Sequence, residues 1–197
     1  MAGSPSANSP KQLAPSKLAS VTGQLILGAV ILALVLGLLL APHGEGLPGE
    51  GTFQIVGRVA PDFSLRGLSG EWRLSQHVGK PMILAFWTTW CGICKTDLAI
   101  LQDFYERYGS QVEVVAICPE HWREVPGIAA QHGITFPVLY DPGAEVTERY
   151  ELFEHLRYPF TVFVDESGRV TGAWAVGLRD LDHLRELLAR ARIPLTE

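Results

Sequence analysis

The chain has 197 residues, 47% apolar and 19% charged, with a net charge of −5 from 16 Lys and Arg against 21 Asp and Glu. That is enough for one folded domain plus an appendage, and it excludes a wholly disordered chain. Glycine and proline recur without a period and no basic run is present, so collagen-like, solenoid and nucleic-acid-binding readings fall away.

The first element in chain order is an apolar span. No residue from Val21 to Ala41 is charged, and Leu25–Leu40 contains only Leu, Ile, Val, Ala and Gly. As a helix this run covers about 30 Å, the thickness of a bilayer's hydrocarbon core. A cleaved signal peptide is the alternative. Leu39-Leu40-Ala41 lacks the small residue two before a cut and Pro42 follows at once, which favours an uncleaved anchor. Lys11 and Lys17 precede the span, whereas Glu45 and Glu50 follow it. The positive-inside rule then predicts residues 42 onward outside the cytoplasm, on the periplasmic or cell-envelope side. The expected organisation is a disordered cytoplasmic tail (1–20), a transmembrane anchor in the bilayer (21–41), a flexible linker (42–51) and a folded domain (52–197).

Within that domain, Phe63–Leu65 and Trp72–Leu74 flank Gly67-Leu68-Ser69-Gly70 and predict a small hairpin. Pro81 introduces Met82–Trp87, an apolar run of the kind that forms a strand buried on both faces. The period then changes: Cys94, Leu98, Leu101, Tyr105 and Tyr108 recur at helical spacing until Gly109. Val112–Ile117 is a second β-branched run, so strand, helix and strand predict a right-handed βαβ unit with parallel strands. A helical stretch from Trp122 to Gln131, a short strand Pro137–Tyr140 and helical turns from Ala144 to Tyr150 follow. Phe160–Val164 and Arg169–Trp174, joined through Asp165-Glu166-Ser167-Gly168, predict an antiparallel hairpin. Leu181, Leu184, Leu187, Leu188 and Ala191 mark a closing helix with Asp180 as its N-cap. The fold class is α/β: one mixed sheet with helices on both faces. Trp174 reads as sheet packing, and His77, His132 and His183 read as surface or loop histidines.

The chemistry concentrates in Trp90-Cys91-Gly92-Ile93-Cys94, where the first core strand gives way to a helix. A cysteine at a helix N-terminus faces unpaired backbone N–H groups and the positive end of the helix dipole, which favour the thiolate. Lowering a thiol pKa from about 8.5 to about 6 raises its thiolate fraction at pH 7 from a few per cent to about nine tenths. Cys91 is then the nucleophile, and Cys94, one turn on, resolves the mixed disulfide that Cys91 forms. Zinc would need four ligands, and the histidines show no metal-ligand spacing; a c-type haem attachment would need His where Lys95 stands. Those two readings and an inert structural disulfide compete with redox exchange, and the position after a core strand favours exchange. Cys118 ends the strand parallel to the one feeding Cys91, and reads either as a small apolar side chain or as a third redox thiol.

Four motifs in order carry a resemblance: Ala60–Leu65, Phe86–Lys95, Phe136–Asp141 and Tyr158–Asp165. Over about residues 58–192 the chain resembles the thioredoxin superfamily. Within it the likeness is to the membrane-anchored TlpA/ResA-like branch, related to AhpC/TSA proteins, of extracytoplasmic thiol-disulfide oxidoreductases. The resemblance implies a thioredoxin-like mixed sheet with an N-terminal hairpin and a central insertion containing Phe136–Asp141. It implies that Pro159 is a cis-proline opposite the cysteine pair, holding the Tyr158 backbone where a substrate peptide pairs as an added strand. Trp87 and Trp90 become wall and rim of the site, and Trp90, Gly92, Ile93, Tyr158 and Pro159 the substrate-binding surface. Asp97 stands where the branch keeps an acid three positions beyond the second cysteine, which makes it a candidate proton acceptor for Cys94; an acid this early in a helix also suits the dipole alone. Ala85 replaces the buried acid of classical thioredoxins, Phe160 a common Thr, and Ile93 the thioredoxin Pro. Glu120, His121 and Glu154 fall near the same sheet edge by fold analogy.

The implied function is reduction of specific protein disulfides without cofactor or metal. Apocytochrome c is the implied substrate in cytochrome c maturation, and a membrane thiol transporter of the CcdA/DsbD kind the implied electron donor. Two alternatives stay open. A peroxiredoxin-like peroxidase shares Thr88-x-x-Cys91, although Leu84 stands where its proline belongs. A non-catalytic metal-handling or assembly module would use Cys91, Cys94 and Cys118 as soft ligands.

Overall fold

The computed structural model describes residues 29–32, 55–120, 123–150 and 158–196. The chain divides into two compact units, Met1–Glu45 and Gly46–Glu197. In the first, residues 29–32 are helical, and the remainder of the apolar run 21–41 lies outside the described residues. Among the described residues, no helix is long and apolar enough to cross a membrane.

The second unit is built on a seven-stranded mixed sheet. In chain order its elements are β1 (Ser64–Gly67), β2 (Gly70–Arg73), β3 (Met82–Phe86), α1 (Gly92–Tyr108), β4 (Glu113–Cys118), α2 (Val125–Gln131), β5 (Val138–Tyr140), α3 (Glu145–Tyr150), β6 (Phe160–Val164), β7 (Val170–Trp174) and α4 (Leu181–Arg190). The strand order is β2-β1-β5-β4-β3-β6-β7. β3, β4 and β5 run parallel, and β6 lies antiparallel against β3.

All five residues of β3 are buried, because layers cover both faces of the sheet. Ile83 and Ala85 face the layer that contains Leu98, Leu101 and Phe104 of α1, Val125 of α2, and Leu184, Leu187 and Leu188 of α4. Met82, Leu84 and Phe86 face the opposite layer, with Phe63, Trp72, Val146 and Tyr150. Fully burying one large apolar side chain contributes about 1.5–3 kcal/mol relative to exposure, so a one-residue slip of β3 would exchange both sets and is strongly disfavoured. The end of β3, where the cysteines begin, is thereby fixed.

Local chemistry sets the boundaries. Asp180 caps α4, its Oδ1 accepting the His183 N–H at 2.7 Å. Asp141 does the same for α3, accepting the N–H groups of Val146 and Thr147 and the Thr147 hydroxyl. In the β6–β7 turn, Gly168 has φ of +78°, a left-handed backbone that suits glycine. The first hairpin is tighter than the sequence predicts. β1 and β2 extend inward to Gly67 and Gly70, which pair with each other across Leu68-Ser69. Gly67 permits this because a Cβ there would lie 2.6 Å from the Val138 carbonyl oxygen of β5. His183 corrects the reading of a surface histidine: it is 3% exposed, edge-on to Trp174 at 5.0 Å, with Nδ1 accepting the Arg179 N–H. On an amphipathic helix its position falls on the apolar stripe, and the ring is satisfied there as a neutral acceptor.

Candidate active site

Cys91 occupies the N-cap of α1 with extended backbone (φ −83°, ψ 108°), and its Sγ accepts the Cys94 N–H at 3.1 Å. The side chain thus takes the place usually filled by Ser, Thr, Asp or Asn, satisfying one of the helix's unpaired donors. Cys91 and Cys94 are joined as a disulfide, with Cα atoms 5.3 Å apart. Their exposure differs in the way exchange requires: Cys91 is 8% exposed and Cys94 fully buried, so an incoming sulfur meets Cys91.

The loop that delivers Cys91 is anchored on β4. Trp87 donates its N–H to the Ile117 carbonyl, Cys91 to the Thr88 carbonyl, and Thr89 to Glu120 Oε2 at 2.6 Å. Trp87 is buried as a wall of the site, whereas Trp90 stands 71% exposed at its rim. The Tyr158–Pro159 peptide is cis. Pro159 is buried, and the Tyr158 ring meets Trp90 edge-on at 6.4 Å, so the proline segment and the cysteine segment adjoin. Phe160 turns away and stacks on Phe86 at 4.3 Å, in the layer opposite α1. Gly92 and Ile93 are exposed between the cysteines.

Asp97 is not a surface acid serving the helix dipole. It is 5% exposed, and its Oδ1 accepts the Leu178 N–H at 2.9 Å from the loop between β7 and α4. Burial pushes its carboxyl up to about 7, partly offset by that bond. A carboxyl poised there exchanges a proton readily near neutrality. The same loop rests on Ile93, one of the two residues between the cysteines: a Cβ on Gly177 would lie 2.3 Å from Ile93 Cγ2 and 3.5 Å from Asp97 Oδ1. Neither Gly177 nor Leu178 is legible as a site residue from the sequence, because nothing local links them to a cysteine pair some eighty residues earlier.

Cys118 is free and fully buried at the end of β4, and burial pushes its thiol up to about 12. That favours the reading of Cys118 as a small apolar side chain over that of a third redox thiol. Its Sγ donates to Glu120 Oε2 at 3.7 Å. Glu120 therefore does stand at the sheet edge beside the site, while His121 and Glu154 lie outside the described residues. Among the described residues, no group of three or more His, Cys, Asp and Glu is arranged to hold a metal ion.

The AhpC/TSA family model matches residues 56–173. The thiol-disulfide oxidoreductase ResA of Geobacillus thermodenitrificans is 34% identical over 150 residues, 75% of this chain and 84% of its own length. The thioredoxin-like protein YneN of Bacillus subtilis is 33% identical over 117 residues, 57% of this chain and 66% of its own. Among solved structures, a Chlorobium tepidum protein assigned as the thiol:disulfide interchange protein DsbE superposes with a TM-score of 0.62 at 28% identity, covering 69% of this chain and 96% of its own. The exposed lipoprotein thioredoxin of Streptococcus pneumoniae superposes with a TM-score of 0.54 at 27% identity, covering 66% and 98%.

Proposed function

The chain belongs to the AhpC/TSA family and is a thiol-disulfide oxidoreductase of the TlpA/ResA-like kind on a thioredoxin fold, and we propose that it is a membrane-tethered reductant of specific protein disulfides outside the cytoplasm. The observation that carries the exchange chemistry is Cys91 at the N-cap of α1 with its sulfur facing the Cys94 N–H. In the reduced protein the same N–H and the helix dipole favour the Cys91 thiolate. That thiolate attacks one sulfur of the substrate disulfide; a mixed disulfide forms and one substrate thiolate leaves. Asp97 takes the proton of Cys94, whose thiolate attacks Cys91 Sγ, releases the second substrate thiol and leaves the Cys91–Cys94 disulfide. Two electrons pass to the substrate.

Trp90, Gly92, Ile93, Tyr158 and Pro159 form the surface on which the substrate strand lies in this reading. The tether rests on the uncharged run Val21–Ala41, and its orientation on Lys11 and Lys17 before it. A protein fixed to the membrane suits a membrane thiol transporter of the CcdA/DsbD kind as electron donor, and apocytochrome c as a local substrate in cytochrome c maturation. The test is trapping: Cys94→Ser leaves Cys91 in a mixed disulfide with its target, recovered from the membrane fraction and identified by mass spectrometry. No adduct above that of Cys91→Ser/Cys94→Ser, or a reduction potential near that of strong oxidants, would overturn the reductase assignment.

A further inference from the structure

Glu120 is tied into the site by two contacts on one oxygen. Its Oε2 accepts the Thr89 N–H at 2.6 Å and lies 3.7 Å from the Cys118 Sγ that donates to it. The first bond is short and charge-assisted, and it ends two residues before Cys91. Cys91 must hold extended backbone while the next residue is already helical, so small movements of this loop change where its sulfur points. Two further bonds that tie down the approach to Cys91, Trp87 N–H to the Ile117 carbonyl and Cys91 N–H to the Thr88 carbonyl, join backbone groups only. Glu120 supplies the one side-chain clamp among them, reaching from the end of β4 across the sheet edge.

We propose that Glu120 is a positioning residue for Cys91, acting through the Thr89 N–H, and that Cys118 serves as the thiol donor that orients the Glu120 carboxylate. Cys118 suits the part because burial keeps its thiol protonated, a donor with no competing reactivity. The inference rests on the exchange reading above.

The experiment compares two conservative variants of the full-length chain. Glu120→Gln keeps the reach and an acceptor oxygen but removes the charge; Glu120→Asp keeps the charge but is one methylene short of Thr89. The readout is the rate of iodoacetamide alkylation of reduced Cys91 against pH, resolved by peptide mass spectrometry, with insulin reduction in parallel. Positioning predicts that Glu120→Gln stays within about three-fold of wild type, while Glu120→Asp loses on the order of ten-fold in insulin reduction and its Cys91 alkylation profile moves to higher pH. Cys118→Ser, which keeps a donor, should follow wild type more closely than Cys118→Ala. If Glu120→Asp matches wild type while Glu120→Gln moves the profile to lower pH, the carboxylate acts by charge and the proposal fails. It also fails if neither variant moves the profile. Alkylation needs no disulfide substrate, so a wild type that reduces nothing overturns the exchange reading without obscuring this result.

Discussion

Replacing Asp97 by Asn should make the protein more stable and less active, with a pH dependence that identifies the cause. Burial raises the Asp97 carboxyl from 3.8 to about 7 in the folded protein, so the folded state holds the proton over a range in which the unfolded chain has released it. A folded-state value above the unfolded one contributes stability that is complete below the unfolded pKa and is lost as pH rises through the folded pKa. The loss between those limits is roughly 4 kcal/mol. Asn carries no charge at any pH and can still accept the Leu178 N–H. Denaturant titration of oxidised wild type and Asp97→Asn should therefore show a gain of under about 1 kcal/mol at pH 4, growing to about 4 kcal/mol at pH 8.5. In the same variant, the step in which Cys94 displaces substrate from Cys91 should slow about a hundred-fold, with the mixed disulfide accumulating on non-reducing gels. A stability difference that does not change with pH would refute the buried-carboxyl account. An unchanged exchange rate would refute the proton-acceptor role.

Gly177→Ala should cost about 1 kcal/mol, because the new methyl meets Ile93 Cγ2 at 2.3 Å and forces that exposed side chain out of its rotamer, and Ile93→Ala in the same chain should restore most of that loss in a double-mutant cycle. Cys118, with its thiol near 12, holds about one thiolate in ten thousand at pH 8, so it should resist alkylation in the folded protein and react once urea unfolds it; a disulfide at Cys118 under any redox condition would contradict the buried geometry. Trp90→Ala should lower kcat/KM for a protein disulfide about ten-fold while leaving reduction of a small aromatic disulfide nearly unchanged, since the exposed ring can contact a chain but is not needed for the sulfur exchange.

Much of the fold is written in periodicity. The run at Met82, the helical spacing from Cys94 to Tyr108 and the Asp180 cap each appear in the structure close to where the residues predict them, because burial on two faces, burial on one face and capping leave distinct local patterns. The cysteine pair is legible for the same reason: its chemistry depends on a junction between two local patterns. What depends on long-range packing is not. The order of strands, the approach of Gly177 to Ile93 and the bond from Leu178 to Asp97 join residues far apart in sequence, and the partners carry no mark of one another. His183 was hidden because a polar residue on a helix reads as exposed until the neighbouring Trp174 and Arg179 are known. Asp97 was visible as an acid at the right place, but its burial, which sets its proton affinity, was not.

β3 and β6 pair residue for residue from Met82 with Val164 to Phe86 with Phe160. Cys91 follows the end of one strand and Pro159 precedes the start of the other, so one ladder sets how the two halves of the reaction centre meet. β4 belongs to the same ruler, because Ile117 and Glu120 hold the loop that carries Cys91. A slip of one residue in that ladder would carry the proline segment about 3.3 Å along the cysteine segment, so a redesign meant to change clients should leave the three strands alone and alter side chains exposed beside the cysteines, such as Trp90 and Ile93.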